Sequence, residues 1–252
     1  MAITDQRVTD YLNGLYKAPF PFLEKLREEA ENEGIPILLR DTERLIQSLL
    51  RIRKPKRILE IGTAIGYSAL CFAMAVPEAE IVTCEVRPEL AARAQENIRK
   101  AEEALRMGSN GCGAGAAPTG DREESAEEGT CGRSLSRRIR VVCGDAAETL
   151  VGMSGGAPFD FVFLDGAHGH YRKMWDAFRP LCVSGTIIVS DNVLFKGMTA
   201  SDEFLDCRRN RTIMNRMREY LDYITTCPEL ETSVLPVGDG AAISIVRETS
   251  AD

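Results

Sequence analysis

The stretch Arg57-Ile58-Leu59-Glu60-Ile61-Gly62-Thr63-Ala64-Ile65-Gly66-Tyr67-Ser68 decides the fold. Its first five residues read as a strand, its two glycines as a turn, and Tyr67 opens a helix that runs to about Ala75. A strand that passes through a glycine turn into a helix is the opening unit of a parallel α/β sheet. Glycines there let backbone approach a ligand, and the helix N-terminus presents unpaired N–H groups. Gly62 and Gly66 are spaced G-x-x-x-G, not the G-x-G-x-x-G that cradles a pyrophosphate. Glu60 would repel phosphate and suits a cationic group, such as the amino-acid end of S-adenosylmethionine. A tight turn with packing glycines is the plainer alternative.

Outward from that turn the rhythm repeats. Strands are predicted at 80–85, 138–143, 159–164 and 185–190, separated by helices at about 88–106, 146–150, up to Phe178, and about 202–225. Parallel strands alternating with helices give a sheet covered on both faces. The end breaks the alternation: 231–237 and 241–246 read as two strands joined by Gly238-Asp239-Gly240, a link so short that they must pair antiparallel. Five βα units closed by a hairpin is the chain order of class I methyltransferases, a Rossmann-like, seven-stranded, mostly parallel sheet. A plain dinucleotide-binding fold would add a sixth parallel strand.

Before the first strand, helices are predicted over 4–16, from Pro21 to about Asn32, and over 41–53, forming an N-terminal helical cap over residues 1–55 of a single domain spanning 1–252. Val8, Leu12 and Leu15 share one face of the first. Residues 107–136 are rich in Gly, Ala, Ser and Glu with no apolar period. Such a segment cannot repay its ordering entropy and is expected to be a flexible insertion, functionally quiet, at the N-terminal edge of the sheet.

Net charge is −7, of which the insertion carries five acids and two arginines, so nothing in the balance advertises nucleic acid. The N-terminus lacks the apolar core of a signal peptide, and no apolar run reaches membrane-spanning length. The eight cysteines are scattered without a C-x-x-C pair, which suggests free thiols in a reducing cytoplasm, not disulfides or a zinc site.

The chemistry gathers at strand ends. Glu85 ends the second strand about twenty residues past the glycine turn, where an acid takes the ribose hydroxyls of an adenosine cofactor. An exposed carboxylate at a strand end is the bland alternative. Asp145-Ala146 ends the third strand, a place for an adenine contact or for a helix N-cap. Asp165 ends the fourth strand and Asp191-Asn192 the fifth, at one sheet edge. Two carboxylates and an amide, with no sulfur, suit Mg²⁺. Single aspartates at strand ends usually cap helices; three converging donors are harder to assign that way. His168, three residues past Asp165, can act as general base or as a structural bond. His170 and Tyr171 read as the start of the next helix.

Residues 57–68, Asp165, Asp191-Asn192 and the closing Pro236-Val237-Gly238-Asp239-Gly240 resemble the catechol and caffeoyl-CoA type O-methyltransferases. Within that group, Ile35-Pro36-Ile37-Leu38, the segment 190–197 and the basic run Arg208-Arg209-Asn210-Arg211 are most similar to the bacterial tRNA 5-hydroxyuridine methyltransferases. The resemblance covers the chain outside 107–136. It implies that Leu38, Ser68, Glu85, Asp145, Ala146 and Asp165 contact S-adenosylmethionine, alongside Glu60 and Gly62, which the glycine turn itself points to. It also implies that Asp165, Asp191 and Asn192 bind Mg²⁺, and that the acceptor is a hydroxyl with a neighbouring oxygen. The animal catechol enzymes carry Lys where His168 stands, so their base does not carry over. A tRNA substrate would offer its wobble uridine from the anticodon loop, with Lys196, Arg208, Arg209 and Arg211 as phosphate contacts or simply a solvated helix face. A small catechol or phenylpropanoid acceptor is the alternative. An NAD-dependent dehydrogenase and a non-catalytic RNA-binding module are rivals of other classes. The family further implies a homodimer, with the N-terminal helices at its interface.

Overall fold

The computed structural model describes residues 4–16, 20–109, 134–153, 155–205 and 207–248. Three helices lead in: α1 (Gln6–Leu15), α2 (Pro21–Asn32) and α3 (Arg40–Arg53). The alternating body follows as β1 (Arg57–Ile61), α4 (Tyr67–Ala75), β2 (Glu80–Glu85), α5 (Pro88–Ser109), α6 (Leu135–Arg138), β3 (Ile139–Cys143), α7 (Ala146–Val151), β4 (Phe159–Leu164), α8 (Tyr171–Phe178), β5 (Cys182–Ser190) and α9 (Arg208–Thr226). A hairpin of β6 (Leu230–Leu235) and β7 (Ala241–Val246) closes the chain.

The sheet order is β3-β2-β1-β4-β5-β7-β6, parallel through β5 and antiparallel at β7 and β6. This is the Rossmann-like methyltransferase arrangement expected from the sequence. Period-2 alternation sends Phe161 and Phe163 of β4 to the face covered by α2 to α5, and Val162 and Leu164 to the face covered by α7 to α9. Each buried large side chain of this kind contributes roughly 1.5–3 kcal/mol.

Several boundaries differ from the sequence reading, each for a physical reason. The strand expected over 138–143 starts at Ile139, because Arg138 ends a one-turn helix. Its buried guanidinium donates to the carbonyls of Ala73 (3.0 Å) and Val76 (3.2 Å) at the C-terminal end of α4. The strand expected over 231–237 stops at Leu235, since Pro236 has no N–H for the ladder, and the connection is five residues, not three. The helix expected over 202–225 is split into a 3-10 turn at Asp202–Phe204 and α9. α1 buries no residue; Val8 and Leu15 on its apolar side stay exposed. Of the 107–136 segment, residues 110–133, with Cys112 and Cys131, lie outside the described residues. At its described edges, 107–109 finish α5, and Glu102 accepts from the Ser134 hydroxyl (2.7 Å) and the Ser136 N–H (3.1 Å).

The cap is locked to the body by a buried charge network. Arg27 of α2 donates to Glu43 Oε2 of α3 (2.8 Å) and to the Leu38 carbonyl (2.9 Å), and the Tyr67 hydroxyl of α4 donates to the same Glu43 oxygen (2.8 Å). This fixes the extended segment before α3, which walls the site. Among the described residues no helix is long and apolar enough to cross a membrane.

Candidate active site

A cavity of about 570 Å³ opens at the C-terminal edge of the sheet, where β1 to β5 end, with Pro36, Ile37 and Leu39 as its outer wall. Gly62 makes the approach of β1 and β4 possible. A Cβ at this position would lie 2.1 Å from the Asp165 carbonyl oxygen, and its φ of +109° is open to glycine. Asp165 N–H donates to the Ile61 carbonyl (2.9 Å), so the strand ends are joined at the cavity floor.

One end of the cavity presents the carboxylates of Glu85 and Asp145. Glu85 is buried, and each of its oxygens already accepts one backbone N–H, from Ala64 (2.8 Å) and Arg87 (3.0 Å). Ala64 holds a left-handed φ of 45° to make that bond. The carboxylate is therefore oriented before any ligand arrives, with lone pairs left for hydroxyls. Asp145 is the helix N-cap that one of its two readings expected, and it stands at the cavity wall. Its side chain caps α7 through Ala147 N–H (2.8 Å), and it lines the cavity beside Ala146. Its other oxygen pairs with Lys173 Nζ (3.0 Å), which holds this carboxyl below the usual range.

The other end gathers the acidic pair. Asp165, Asp191 and Asn192 all line the cavity. Asn192 Nδ2 donates to Asp165 Oδ1 (3.1 Å), and Asp191 Oδ1 accepts the Asn192 N–H (2.8 Å). The Asp191 carbonyl accepts the hydroxyl of Tyr171, the first residue of α8 (2.8 Å). Burial pushes Asp165 up to about 6. Burial and then the neighbouring Asp165 push Asp191 well above the carboxylate range. A buried acid whose charge is further opposed by a neighbouring carboxylate is a site a divalent cation would relieve. Among the described residues no three His, Cys, Asp or Glu side chains form a metal cage. Two carboxylates and an amide instead leave positions for water or substrate oxygens, the pattern Mg²⁺ takes.

His168 also lines the cavity. Its ring sits between Tyr171 (centroids 5.7 Å) and Phe195 (4.7 Å). Burial lowers its pKa, and Nε2 has no hydrogen-bond partner. A neutral imidazole at the cavity wall, with its buried Nε2 unpaired, has the chemistry to take a proton once that nitrogen is reached.

Three expected cofactor contacts are placed differently. Glu60 is buried under the glycine turn and does not line the cavity. Its Oε2 accepts from Thr83 Oγ1 (2.5 Å), and burial pushes it up to about 8. It is therefore largely uncharged at neutral pH, which corrects its reading as the anionic partner of a cationic ligand. Leu38 faces the core while its neighbours Ile37 and Leu39 face the cavity, and Ser68 is buried in the first turn of α4 outside the lining. Lys196 and Arg211 are exposed and outside the cavity, and the side chains of Arg208 and Arg209 lie outside what the structure describes. Lys173 and Met174 of α8 line the cavity without having been expected; no periodicity in α8 marks them.

The profile of the methyltransferase domain family matches residues 59–193, more than half of the chain and the whole span from the glycine turn to Asp191-Asn192. A catechol O-methyltransferase of Mycobacterium tuberculosis is 30% identical over 200 residues, covering 76% of this chain and 72% of that protein. The chain belongs to the S-adenosylmethionine-dependent O-methyltransferases of the catechol and caffeoyl-CoA type. A solved structure from Staphylococcus aureus, provisionally described as a caffeoyl-CoA O-methyltransferase, superposes on this methyltransferase with a TM-score of 0.78 at 26% identity, covering 96% of this chain and all of the other. A Bacillus cereus O-methyltransferase solved with S-adenosylhomocysteine shares the fold at a TM-score of 0.73 and 22% identity, with 96% and 97% of the chains covered.

Proposed function

We propose that this methyltransferase transfers the methyl group of S-adenosylmethionine to one hydroxyl of a small aromatic vicinal diol, assisted by Mg²⁺. The observation that carries the reading is the acidic pair. Buried Asp191 and half-buried Asp165 stand together at the acceptor end of a cavity whose other end presents Glu85 and Asp145. Glu85 would receive the ribose hydroxyls, and Asp145 with Ala146 the adenine edge. Asp165, Asp191 and Asn192 would hold the ion. Bound there, a divalent ion would neutralise the two carboxylates and lower the pKa of an acceptor hydroxyl. The imidazole of His168, at the cavity wall, takes the proton that hydroxyl gives up. Pro36, Ile37 and Leu39 supply an apolar wall that excludes water from the acceptor and holds its ring. Holding acceptor and methyl donor in line supplies much of the rate, up to roughly 7–11 kcal/mol in favourable cases.

Methylation of 5-hydroxyuridine in a tRNA anticodon loop is a second reading, favoured by the exposed Lys196 and Arg211 and by Arg216. The Arg216 side chain reaches the Gly169 carbonyl (3.4 Å), next to His168. The small-diol reading is preferred because the relatives named for catechol cover most of this chain. The test is a methylation assay with catechol, phenol and hydroxyuridine-containing tRNA, each with Mg²⁺ and with chelator. Mg²⁺-dependent methylation of catechol, with phenol inert, is the expected result. Equal turnover of phenol after chelation would overturn the metal assignment, and product on tRNA alone would select the second reading.

A further inference from the structure

Behind the acidic pair lies a second layer that does not line the cavity. The loop after β5 contains three non-glycine residues in the left-handed region: Asn192 (φ 55°), Phe195 (φ 41°) and Lys196 (φ 56°). Such residues persist where their surroundings over-determine them. Here the surroundings are the β6–β7 connection. Val193 N–H donates to the Gly240 carbonyl (2.9 Å), Leu194 and Phe195 N–H donate to the Asp239 carbonyl (3.0 and 3.2 Å), and Lys196 N–H donates to Asp239 Oδ1 (2.5 Å). Four consecutive amides of the strained loop are thus read by two residues.

The connection is itself anchored. Gly238 N–H donates to Asp41 Oδ2 (2.9 Å) at the start of α3, whose Oδ1 accepts Thr42 N–H (2.9 Å). Close contact leaves no freedom: a Cβ on Gly238 would lie 2.2 Å from Thr42 Oγ1, and one on Gly240 2.7 Å from the Leu194 nitrogen. At the far end of the strained loop the Phe195 ring packs 4.7 Å from His168, and Asn192 reaches Asp165. The negative charge of Asp239 also bears on His168, favouring its protonated form against burial.

We propose that Asp239, braced by Asp41, is the positioning residue for the acceptor half of the site. Its side chain fixes the turn that presents Asn192 to Asp165 and sets Phe195 against His168, while the cofactor half is held separately by Glu85 and Asp145. The inference rests on the acidic pair being a cation site, as proposed above.

The test uses the full chain with Asp239→Ala and Asp239→Asn. Three quantities are read: S-adenosylhomocysteine affinity by calorimetry, Mn²⁺ affinity by electron paramagnetic resonance, and kcat/KM for catechol. Asp239→Ala should weaken Mn²⁺ binding and lower kcat/KM by about 10–100-fold. S-adenosylhomocysteine affinity should stay within about twofold. Asp239→Asn, whose amide oxygen can still accept Lys196 N–H, should restore most of both losses. An Asp239→Ala chain equal to wild type in Mn²⁺ affinity overturns the inference, as does a parallel loss of S-adenosylhomocysteine affinity or an Asn variant as impaired as the Ala variant. A wild-type chain that binds no Mn²⁺ overturns the cation site and this inference with it. Should Asp239→Ala fail to fold, Asp41→Ala carries the same test with the same outcomes.

Discussion

Replacing Asp165 by asparagine should make the metal-free protein more stable and far less active. Burial raises the Asp165 carboxyl from 3.8 to about 6. The folded chain thus binds that proton more tightly than the unfolded chain, so stability falls as pH rises from about 4 to about 6 and stays low above. The cost at neutral pH is roughly 3 kcal/mol. Asparagine removes it while keeping an oxygen for the 3.1 Å bond from Asn192 Nδ2. For a chain of this length each kcal/mol moves the melting temperature by about 2–4 °C, so the gain is up to roughly 6–12 °C. The assay is calorimetric melting of both proteins in chelator at about pH 5 and about pH 8, then with Mg²⁺. Wild type should lose more stability between the two pH values than the variant, whose remaining loss comes from buried Asp191, and should regain more of it with Mg²⁺. Turnover of the variant should fall by about 10²–10³-fold, as when a group that stabilises developing charge is lost. A variant no more stable than wild type at the higher pH, or an advantage equal at both, would refute the reasoning.

Other outcomes test other parts of the site. His168→Gln should lower kcat by about 10²–10⁴-fold. Because burial lowers the pKa of His168, the wild-type rate should rise with pH through a value below the ordinary 6.5 and then level, a limb absent from the variant. Glu85→Gln should raise KM for S-adenosylmethionine by about 10–100-fold, the loss of a charge-assisted hydrogen bond, with kcat nearly unchanged in steady-state kinetics. Gly62→Ala, which puts a methyl group 2.1 Å from the Asp165 carbonyl oxygen, should cost about 3 kcal/mol or more in denaturant unfolding. Arg27→Met leaves Glu43 buried without its charge partner and should cost about 3–5 kcal/mol by the same measurement.

The parallel body was legible because its signals are strong and local. Apolar strands end in glycine or aspartate, and a hairpin replaces the last crossover. Convergence of Asp165 with Asp191 and Asn192 followed from strand adjacency alone. What escaped depends on side-chain parity and distant partners. Ile58 and Glu60 point to one face of β1 and Leu59 and Ile61 to the other, which carries Glu60 into the core and away from the cavity. The same alternation turns Leu38 inward while Ile37 and Leu39 wall the site. Pro236 shortened β6 by a rule the sequence does contain. The buried guanidinium of Arg138 and the Asp41–Gly238 contact join segments 60 or more residues apart, and no local pattern announces either.

The central claim is a cation held at the ends of β4 and β5 beside the methyl donor. The most direct measurement is an anomalous-difference map from crystals grown with Mn²⁺ and S-adenosylhomocysteine. The account predicts one strong peak within ligand distance of Asp165, Asp191 and Asn192, with the nucleoside on Glu85. A fully bound nucleoside with no peak there, or a peak elsewhere in the molecule, would contradict it.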